Sequence, residues 1–294
     1  MSIEQGGSTV PRRQLGRKLR ELRESRSLTV TQAISVLEWS KPRLWRYETG
    51  QVPIHPNDVE AMCRLYGVGS ELTEALKALA RETRAKGWWH AYADIPEYFE
   101  LFLGMEQAAS RLRQYEAEII PGLLQSSAYA REANIRSGPI KDMPPEVVEK
   151  DVGVRMRRQR ILTRAEPKAP DLDVVLSEAA LIRGFGDEIM VDQLSCLLAF
   201  GERPNIGIRV IPLSAGPHSA YQGPFVILDF PQETQARDPE PTTIYAEHPT
   251  GALYLDKPTE VQTYLAVWAD LDTVALDEVE SRRLIQHKVK ERSR

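Results

Sequence analysis

Apolar residues recur at helical spacing through the first 85 residues of the chain. In the first predicted helix, residues 12–26, Leu15, Leu19 and Leu22 lie three or four positions apart and form one apolar stripe, with arginines off it. Residues that favour helix starts and stops bound four further short helices, over residues 29–37, 40–49, 56–66 and 70–83. The pattern predicts an all-α N-terminal domain of five helices, residues 1–85.

Beyond residue 85, short β-type runs alternate with longer helical stretches. Strands are predicted where β-branched or alternating runs are bounded by Gly, Pro or Asp, at residues 111–120, 172–176, 206–213, 224–230 and 242–248. Helical spacing predicts helices over residues 96–109, 123–135, 145–164, 191–200, 258–274 and 277–291. Helices interspersed with strands are typical of an α/β or α+β domain, which we place at residues 86–294.

The second and third predicted helices are separated by only two residues, Glu38 and Trp39. Thr29 and Ser40 are residue types that cap helix N-termini, and Gly50 is placed to end the third helix. Two short helices joined by so tight a turn form a helix-turn-helix arrangement.

Charge is distributed unevenly along the chain. The net charge of the 294 residues is −4, but residues 1–90 hold 15 Lys and Arg against 10 Asp and Glu, a balance of +5, which leaves −9 for the rest. A basic segment joined to an acidic body indicates a nucleic-acid-binding module attached to a second domain.

The sequence also bears on where the protein works. It has no run of about 18 uncharged apolar residues that would span a membrane, and its first residues lack the apolar core of a signal peptide. The two cysteines, Cys63 and Cys196, lie far apart and form no zinc-binding or disulfide pattern. We therefore expect a cytoplasmic, nucleoid-associated protein with no membrane contact.

Residues 28–51, LTVTQAISVLEWSKPRLWRYETGQ, resemble the repressor-type helix-turn-helix of the xenobiotic-response-element class. Residues 48–50 match its E-x-G ending. Glu38 stands at the turn position where such motifs usually have Gly, so the resemblance implies a residue with positive φ there. The core positions of the motif are matched by Ala33, Leu37, Leu44 and Tyr47.

The resemblance also implies which side chains meet DNA. Arg46 is expected to bind guanine O6 and N7, and Thr29 and Arg43 are expected to bind phosphates, which fix the register of the complex. Because one module contacts few bases, we expect a homodimer on an inverted repeat of double-stranded DNA. A recognition helix of this class presents its N-terminal residues to base edges in the major groove, here Lys41, Pro42, Trp45 and Arg46.

Each of these assignments has a structural alternative. Trp45 can instead pack against the second domain, and Arg43 or Arg46 can form a surface ion pair with Glu48. The arginines of the first helix are expected to be solvated rather than bound to DNA.

Segments throughout the second domain resemble a C-terminal domain of unknown function, found in a large actinobacterial family of antitoxin-like transcriptional regulators. The resemblance covers nearly the whole chain from Trp88 onward and implies a small partner protein, often encoded next door. It is carried by YEAEIIPGLLQSSAYA (115–130), VGVRMRRQRIL (152–162), SEAALIR (177–183), DQLSCLLAF (192–200), PNIGIRVIPLSAGPHSAYQGPFVILDF (204–230) and IYAEHPTGALY (244–254).

The second domain shows no HExxH, GxSxG or GxxxxGK[ST] motif, and its histidines have no metal-ligand spacing. We expect no catalytic site, no metal and no cofactor. Tyr245 and Glu247 share one face of a predicted strand, and with Glu178 and His218 they form a candidate pocket for a ligand or partner. The alternative is that Glu178 stabilises a helix start and Glu247 pairs with an arginine of residues 155–164.

Three functions stay open at this point. The chain is a DNA-binding regulator whose second domain dimerises or binds a partner protein, or the same regulator with a small-molecule sensor domain. The third possibility is an enzyme that carries an accessory helix-turn-helix.

Overall fold

The computed structural model describes residues 10–83, 97–137, 144–231, 240–248 and 251–293. The chain divides into two compact units, Met1–Ala108 and Ala109–Arg294. The predicted domain boundary, between residues 85 and 86, lies outside the described residues. None of the helices in the described part of the chain is both long and apolar enough to cross a membrane.

The first unit is helical, and its first five helices confirm the predicted all-α arrangement. Fully buried leucines of α1 and α3, including Leu15, Leu19 and Leu44, meet Met62 and Tyr66 from α4 and its C-terminal end. The sixth helix begins where the described chain resumes, at residue 97, and belongs to the same compact unit. The described helices are α1 (Val10–Ser25), α2 (Val30–Leu37), α3 (Lys41–Glu48), α4 (Pro56–Leu65), α5 (Ser70–Glu82) and α6 (Glu97–Ala108).

The second unit contains a mixed six-stranded sheet in the order β3-β2-β1-β4-β5-β6. The pairs β1–β2 and β2–β3 are parallel, whereas β1–β4, β4–β5 and β5–β6 are antiparallel. The combination fits the predicted α/β or α+β class. The strands are β1 (Arg111–Glu116), β2 (Asp171–Ser177), β3 (Ile206–Ile211), β4 (Phe225–Asp229), β5 (Thr243–His248) and β6 (Gly251–Leu255).

Helices connect and cover these strands. Trp268 and Leu271 of the long helix α11 pack on Tyr115, Phe225 and Ile244, which share one face of the sheet. The helices are α7 (Ser127–Ser137), α8 (Pro145–Arg158), α9 (Ala179–Ile182), α10 (Asp187–Phe200), α11 (Pro258–Val274) and α12 (Glu278–Arg292).

Several features differ from the prediction. Strand β1 ends at Glu116 rather than at residue 120, and α7 begins at Ser127 rather than at residue 123. The helix expected over residues 145–164 ends at Arg158, and a 3₁₀ turn, Gln159–Leu162, follows it. Strand β6 was not predicted at all. It pairs only with β5 in the described sheet and is mostly half-buried, so it lacks the continuous apolar run that marks a strand buried on both faces.

A glycine allows the first and third helices to approach closely. A Cβ atom added to Gly16, in the middle of α1, would lie 2.4 Å from the carbonyl oxygen of Tyr47 and 3.0 Å from that of Glu48. Both oxygens belong to the backbone of α3, so neither can shift unless the helix shifts with it. The packing of α1 on α3 therefore requires a residue without a side chain at position 16.

We expect Gly16→Ala to destabilise the first unit by about 1–3 kcal/mol through overpacking, although alanine is the better helix former. Gly153→Ala is the matched control, because Gly153 also lies inside a helix but has nothing within 4 Å of the added atom. That substitution should stabilise its unit by about 0.5–1 kcal/mol. Urea unfolding followed by circular dichroism measures both, and a Gly16→Ala variant of wild-type stability would contradict the close approach.

Candidate nucleic-acid interface

Helix α2 begins with a complete capping box. The Thr29 hydroxyl accepts a hydrogen bond from the backbone N–H of Gln32 at 3.2 Å, and the Thr29 N–H donates to the Gln32 side-chain oxygen at 2.9 Å. The N-cap role predicted for Thr29 is confirmed. Gln32 was not predicted as part of the cap, although Thr-x-x-Gln is a recognisable signal for this motif.

The turn between α2 and α3 contains the residue with positive φ that the resemblance implied. Glu38 has φ 56° and ψ 38°, and its backbone N–H caps α2 by donating to Ile34 O. The N–H of Trp39 donates to the same carbonyl at 3.0 Å. A left-handed residue is the usual way to end a helix, and the Glu38 side chain is exposed, so no packing requirement adds to the backbone strain.

Helix α3 is fixed at both ends. The Ser40 hydroxyl accepts from the N–H of Arg43 at 3.4 Å, and Pro42 lies in the first turn, where a missing N–H has no cost. Gly50 follows the helix with φ 69°, and a Cβ there would lie 2.7 Å from Cα of Arg13. Position 50 thus requires glycine both for its conformation and for its contact with α1.

A buried ion pair joins the end of α3 to α1. Arg23 donates through Nε and Nη2 to the two Glu48 oxygens at 2.6 and 2.8 Å, and through Nη1 to Leu28 O at 2.8 Å. The side chains of Arg23 and Glu48 are only 7% and 6% exposed. The hydrogen bond with Glu48 raises the pKa of Arg23 despite the opposing effect of burial.

The expected solvation of the α1 arginines is therefore wrong for three of them. Arg23 is buried against Glu48, Arg12 is 5% exposed, and Arg13, also 5% exposed, donates to the sulfur of Met105 in α6 at 3.1 Å. The helical pattern placed Arg13 and Arg23 off the leucine stripe. It did not show that α3 and α6 pack on those flanks of α1.

The outer surface of α3 carries the residues predicted to meet bases. Lys41 and Pro42 are exposed, Arg46 is partly buried, and 54% of the surface of Trp45 is accessible. Thr29, predicted to bind phosphate, is also exposed at the start of α2. We call the side chains of Thr29, Lys41, Pro42, Arg43, Trp45 and Arg46 the α3 surface.

Arg43 is held in place by neighbours from outside its own helix. Its Nη2 donates to Asp58 Oδ2 at 2.9 Å, and its guanidinium carbon lies 4.3 Å from the centre of the Trp39 ring. Tyr47 donates to the same Asp58 oxygen at 2.8 Å, and burial followed by the Asp58 contact raises the pKa of Tyr47, which keeps its hydroxyl protonated.

The ion pair between Arg43 and Glu48, the structural alternative for this arginine, is not formed. In the structure Arg43 forms an ion pair with Asp58, and Glu48 forms one with Arg23. Asp58 lies in the first turn of α4, 15 residues from Arg43, so no local sequence signal indicates the contact.

The four candidate residues of the second unit do not form one common site. Glu178 accepts from the N–H of Leu213 at 3.0 Å and lies 3.3 Å from Lys288 Nζ. His218 Nε2 lies 3.2 Å from the hydroxyl of Tyr115. The Tyr245 hydroxyl donates to Glu247 at 2.9 Å, as their shared strand face predicts.

The sheet register shows which of these groups lie together. Tyr245 pairs with Val226, which pairs with Gln114, so these three point to one face. Tyr115, the partner of His218, is the next residue after Gln114 and points to the opposite face. The structure thus brings Tyr245 and Glu247 together but does not bring His218 to them.

Ion pairing and metal binding at these residues differ from what a charged site would show. Within the described residues Glu247 forms no ion pair with any arginine of 155–164, so that structural alternative is wrong there. No group of three or more His, Cys, Asp or Glu side chains in the described ranges is placed to hold a metal ion.

Comparison with protein families assigns both parts of the chain. Residues 14–76 match a family described as a helix-turn-helix domain, and residues 99–287 match a domain of unknown function, DUF5753. The chain belongs to the DUF5753 family. The DUF5753 match begins inside α6, a helix that belongs in space to the first compact unit. No curated protein and no solved structure matches the chain.

We expect Glu48→Gln to destabilise the helix-turn-helix unit by about 3–5 kcal/mol, because it leaves the buried Arg23 charge without its partner. The control is Glu24→Gln, since Glu24 lies 3.5 Å from Arg23 but is 59% exposed, and it should change stability by less than about 0.5 kcal/mol. Thermal unfolding compares the two variants. Equal effects would mean that the buried pair contributes no more than the exposed one.

Proposed function

We propose that this DUF5753 protein is a sequence-specific DNA-binding transcriptional regulator of the xenobiotic-response-element class. The observation that carries the proposal is the α3 surface on a helix fixed at both ends. Trp45 is exposed among Lys41, Arg43 and Arg46, and an exposed aromatic ring among cations favours a surface that binds a partner. The +5 balance of residues 1–90 favours a polyanionic partner.

In the proposed complex the two arginines of α3 have different roles. Arg46 contacts guanine in the major groove, and Arg43 contacts a phosphate. The ring of Trp39 and the carboxylate of Asp58 hold the Arg43 guanidinium in one orientation. A fixed side chain loses little conformational entropy when DNA binds, so Arg43 suits a contact that sets the register of the complex.

The DUF5753 domain is proposed to dimerise the protein or to bind a partner protein, in an antitoxin-like role. By the resemblance, the partner is a small protein encoded next door, and the pair works in the cytoplasm at the nucleoid of an actinobacterium. Co-purification of the adjacent gene product with the full-length chain would support this role, and its absence would favour dimerisation alone.

A second function for the same domain has its own support. Two carboxylates, Glu116 and Glu247, lie near Arg155 in the DUF5753 domain, but neither forms an ion pair with that guanidinium. This arrangement favours a site for a small molecule. The regulator then carries a small-molecule sensor domain.

The full-length protein should bind duplex DNA from its own promoter region with strong salt dependence, because each phosphate that the α3 surface neutralises releases a counterion. Two chains should bind one inverted repeat, with half-sites about one helical turn apart or a multiple of it. Fluorescence anisotropy at increasing salt measures the first property and sedimentation the second. No binding at low salt would refute the function, and a single chain on the best site would refute the dimer.

Substitution of the two arginines separates specificity from affinity. Arg46→Ala should cost roughly 1–3 kcal/mol on the preferred site and little on random DNA. Arg43→Ala should weaken both complexes about equally and make the salt slope shallower by about one. Anisotropy titrations on both DNAs measure the difference. If both variants lose specific and random binding to the same degree, the assignment of the base-contacting side of α3 is incorrect.

A further inference from the structure

One face of the DUF5753 sheet carries two carboxylates near the ends of β1 and β5, the two strands on either side of β4. Side chains alternate between the two faces along a strand, so Gln114 and Glu116 of β1 lie on one face of the sheet. The register through β4 places Tyr245 and Glu247 of β5 on that same face. Strands β1 and β5 run in the same direction, because each is antiparallel to β4. Glu116 and Glu247 therefore lie at the same edge of the sheet.

Both carboxylates are hydrogen-bonded to neutral groups rather than to cations. Glu116 accepts from the Gln114 amide at 2.9 Å, and Glu247 accepts from the Tyr245 hydroxyl at 2.9 Å. Glu116 is partly buried, whereas Glu247 is exposed at the rim. Burial and the negative charge of Glu247 raise the pKa of Glu116 to about 7.

A guanidinium near these carboxylates is also bound only to neutral groups. Arg155 of α8 donates through Nη1 to Gln125 Oε1 at 2.7 Å and through Nη2 to Asn134 Oδ1 at 3.2 Å. Burial and the charge of the neighbouring Arg158 lower the pKa of Arg155, while the charges of Asp151 and Glu247 act in the opposite sense. Yet no carboxylate oxygen lies within 4 Å of Arg155 among the described residues.

An orphan hydrogen-bond donor lies beside this guanidinium. Asn134, 8% exposed, accepts from Arg155 through its oxygen, while its Nδ2 is buried and has no hydrogen-bond partner among the described residues. A buried donor without an acceptor destabilises the folded protein. Buried polar groups are nearly always satisfied, so the amide of Asn134 points to an acceptor that a bound molecule supplies.

We propose that Glu116, Glu247, Arg155 and Asn134 form the binding site of a small zwitterion of the amino-acid class. The carboxylate of the ligand accepts from Arg155 and from Asn134 Nδ2. Its ammonium group donates to Glu116 and Glu247. A zwitterion can bind the guanidinium and the two carboxylates at the same time. It therefore compensates charges of opposite sign that are too far apart to form an ion pair.

Ligands with a single charge fit this arrangement less well. A simple anion would satisfy Arg155 and Asn134 but would lie near the two carboxylates with no cation between them. A simple amine would neutralise the carboxylates and leave the Asn134 donor without an acceptor. The site opens to solvent at Glu247, so a small ligand can enter. The proposal concerns the DUF5753 domain alone and does not depend on DNA binding.

Isothermal titration of the full-length protein with each of the twenty L-amino acids tests the proposal. At least one should bind, and it should bind about tenfold or more tightly than the matching amine without its carboxylate or the matching acid without its ammonium group. Inorganic phosphate and acetate serve as simple anions. If none of the twenty binds, or if a simple anion binds as tightly as the best amino acid, the proposal is overturned.

Three variants assign the binding to these residues. Glu247→Gln should weaken the best amino acid by about tenfold or more, because it removes a charged partner of the ammonium group. Glu118→Gln is the control, since Glu118 is an exposed carboxylate after β1 that pairs with Arg183, and it should leave binding unchanged. Asn134→Asp should weaken binding, because it keeps the oxygen that accepts from Arg155 but replaces the Nδ2 donor with a second, negatively charged oxygen. Unchanged binding in Glu247→Gln and Asn134→Asp would overturn the site.

Discussion

The close approach of α1 to the end of α3 is the constraint on which the helix-turn-helix depends. Gly16 and Gly50 remove the side chains that would keep the two backbones apart. At that contact Arg23 and Glu48 are buried as a bidentate pair. A buried charge is tolerated only with a well-placed partner, so the ion pair allows essentially one orientation of α3 on α1. The outward direction of the α3 surface follows from that orientation.

Helix α3 combines a rigid attachment with an accessible outer side. Its N-terminus is capped by Ser40, and its far end is held by Glu48, yet Trp45 between them is more than half exposed. Arg43 is intermediate, because Asp58 and Trp39 orient it while leaving 40% of its side chain accessible. Asp58 both fixes this arginine and offsets its charge. The geometry of α4 therefore influences a residue proposed to touch DNA.

The DUF5753 sheet has two chemically different faces. On one, Tyr115, Phe225 and Ile244 pack under Trp268 in an apolar core. On the other, Glu116 and Glu247 lie at one edge and do not pair with Arg155. An apolar face needs only tight packing, whereas a face with separated charges needs something to compensate them. This difference is why the polar face, rather than the core, is the proposed location of a ligand.

The sequence by itself determined the helices of the helix-turn-helix and their location in the chain. Helix periodicity, the caps at Thr29 and Ser40 and the two-residue turn are all local signals. It also determined that Tyr245 and Glu247 share a face, since strand alternation is local too. Only the tertiary structure decided the partners of Arg23, Arg43 and Arg155, because each depends on residues that are distant in sequence. Local patterns show which face a charge lies on, but packing decides what it meets there. The edge strand β6 was missed for the same reason, since its stability comes from pairing with β5 rather than from its own composition.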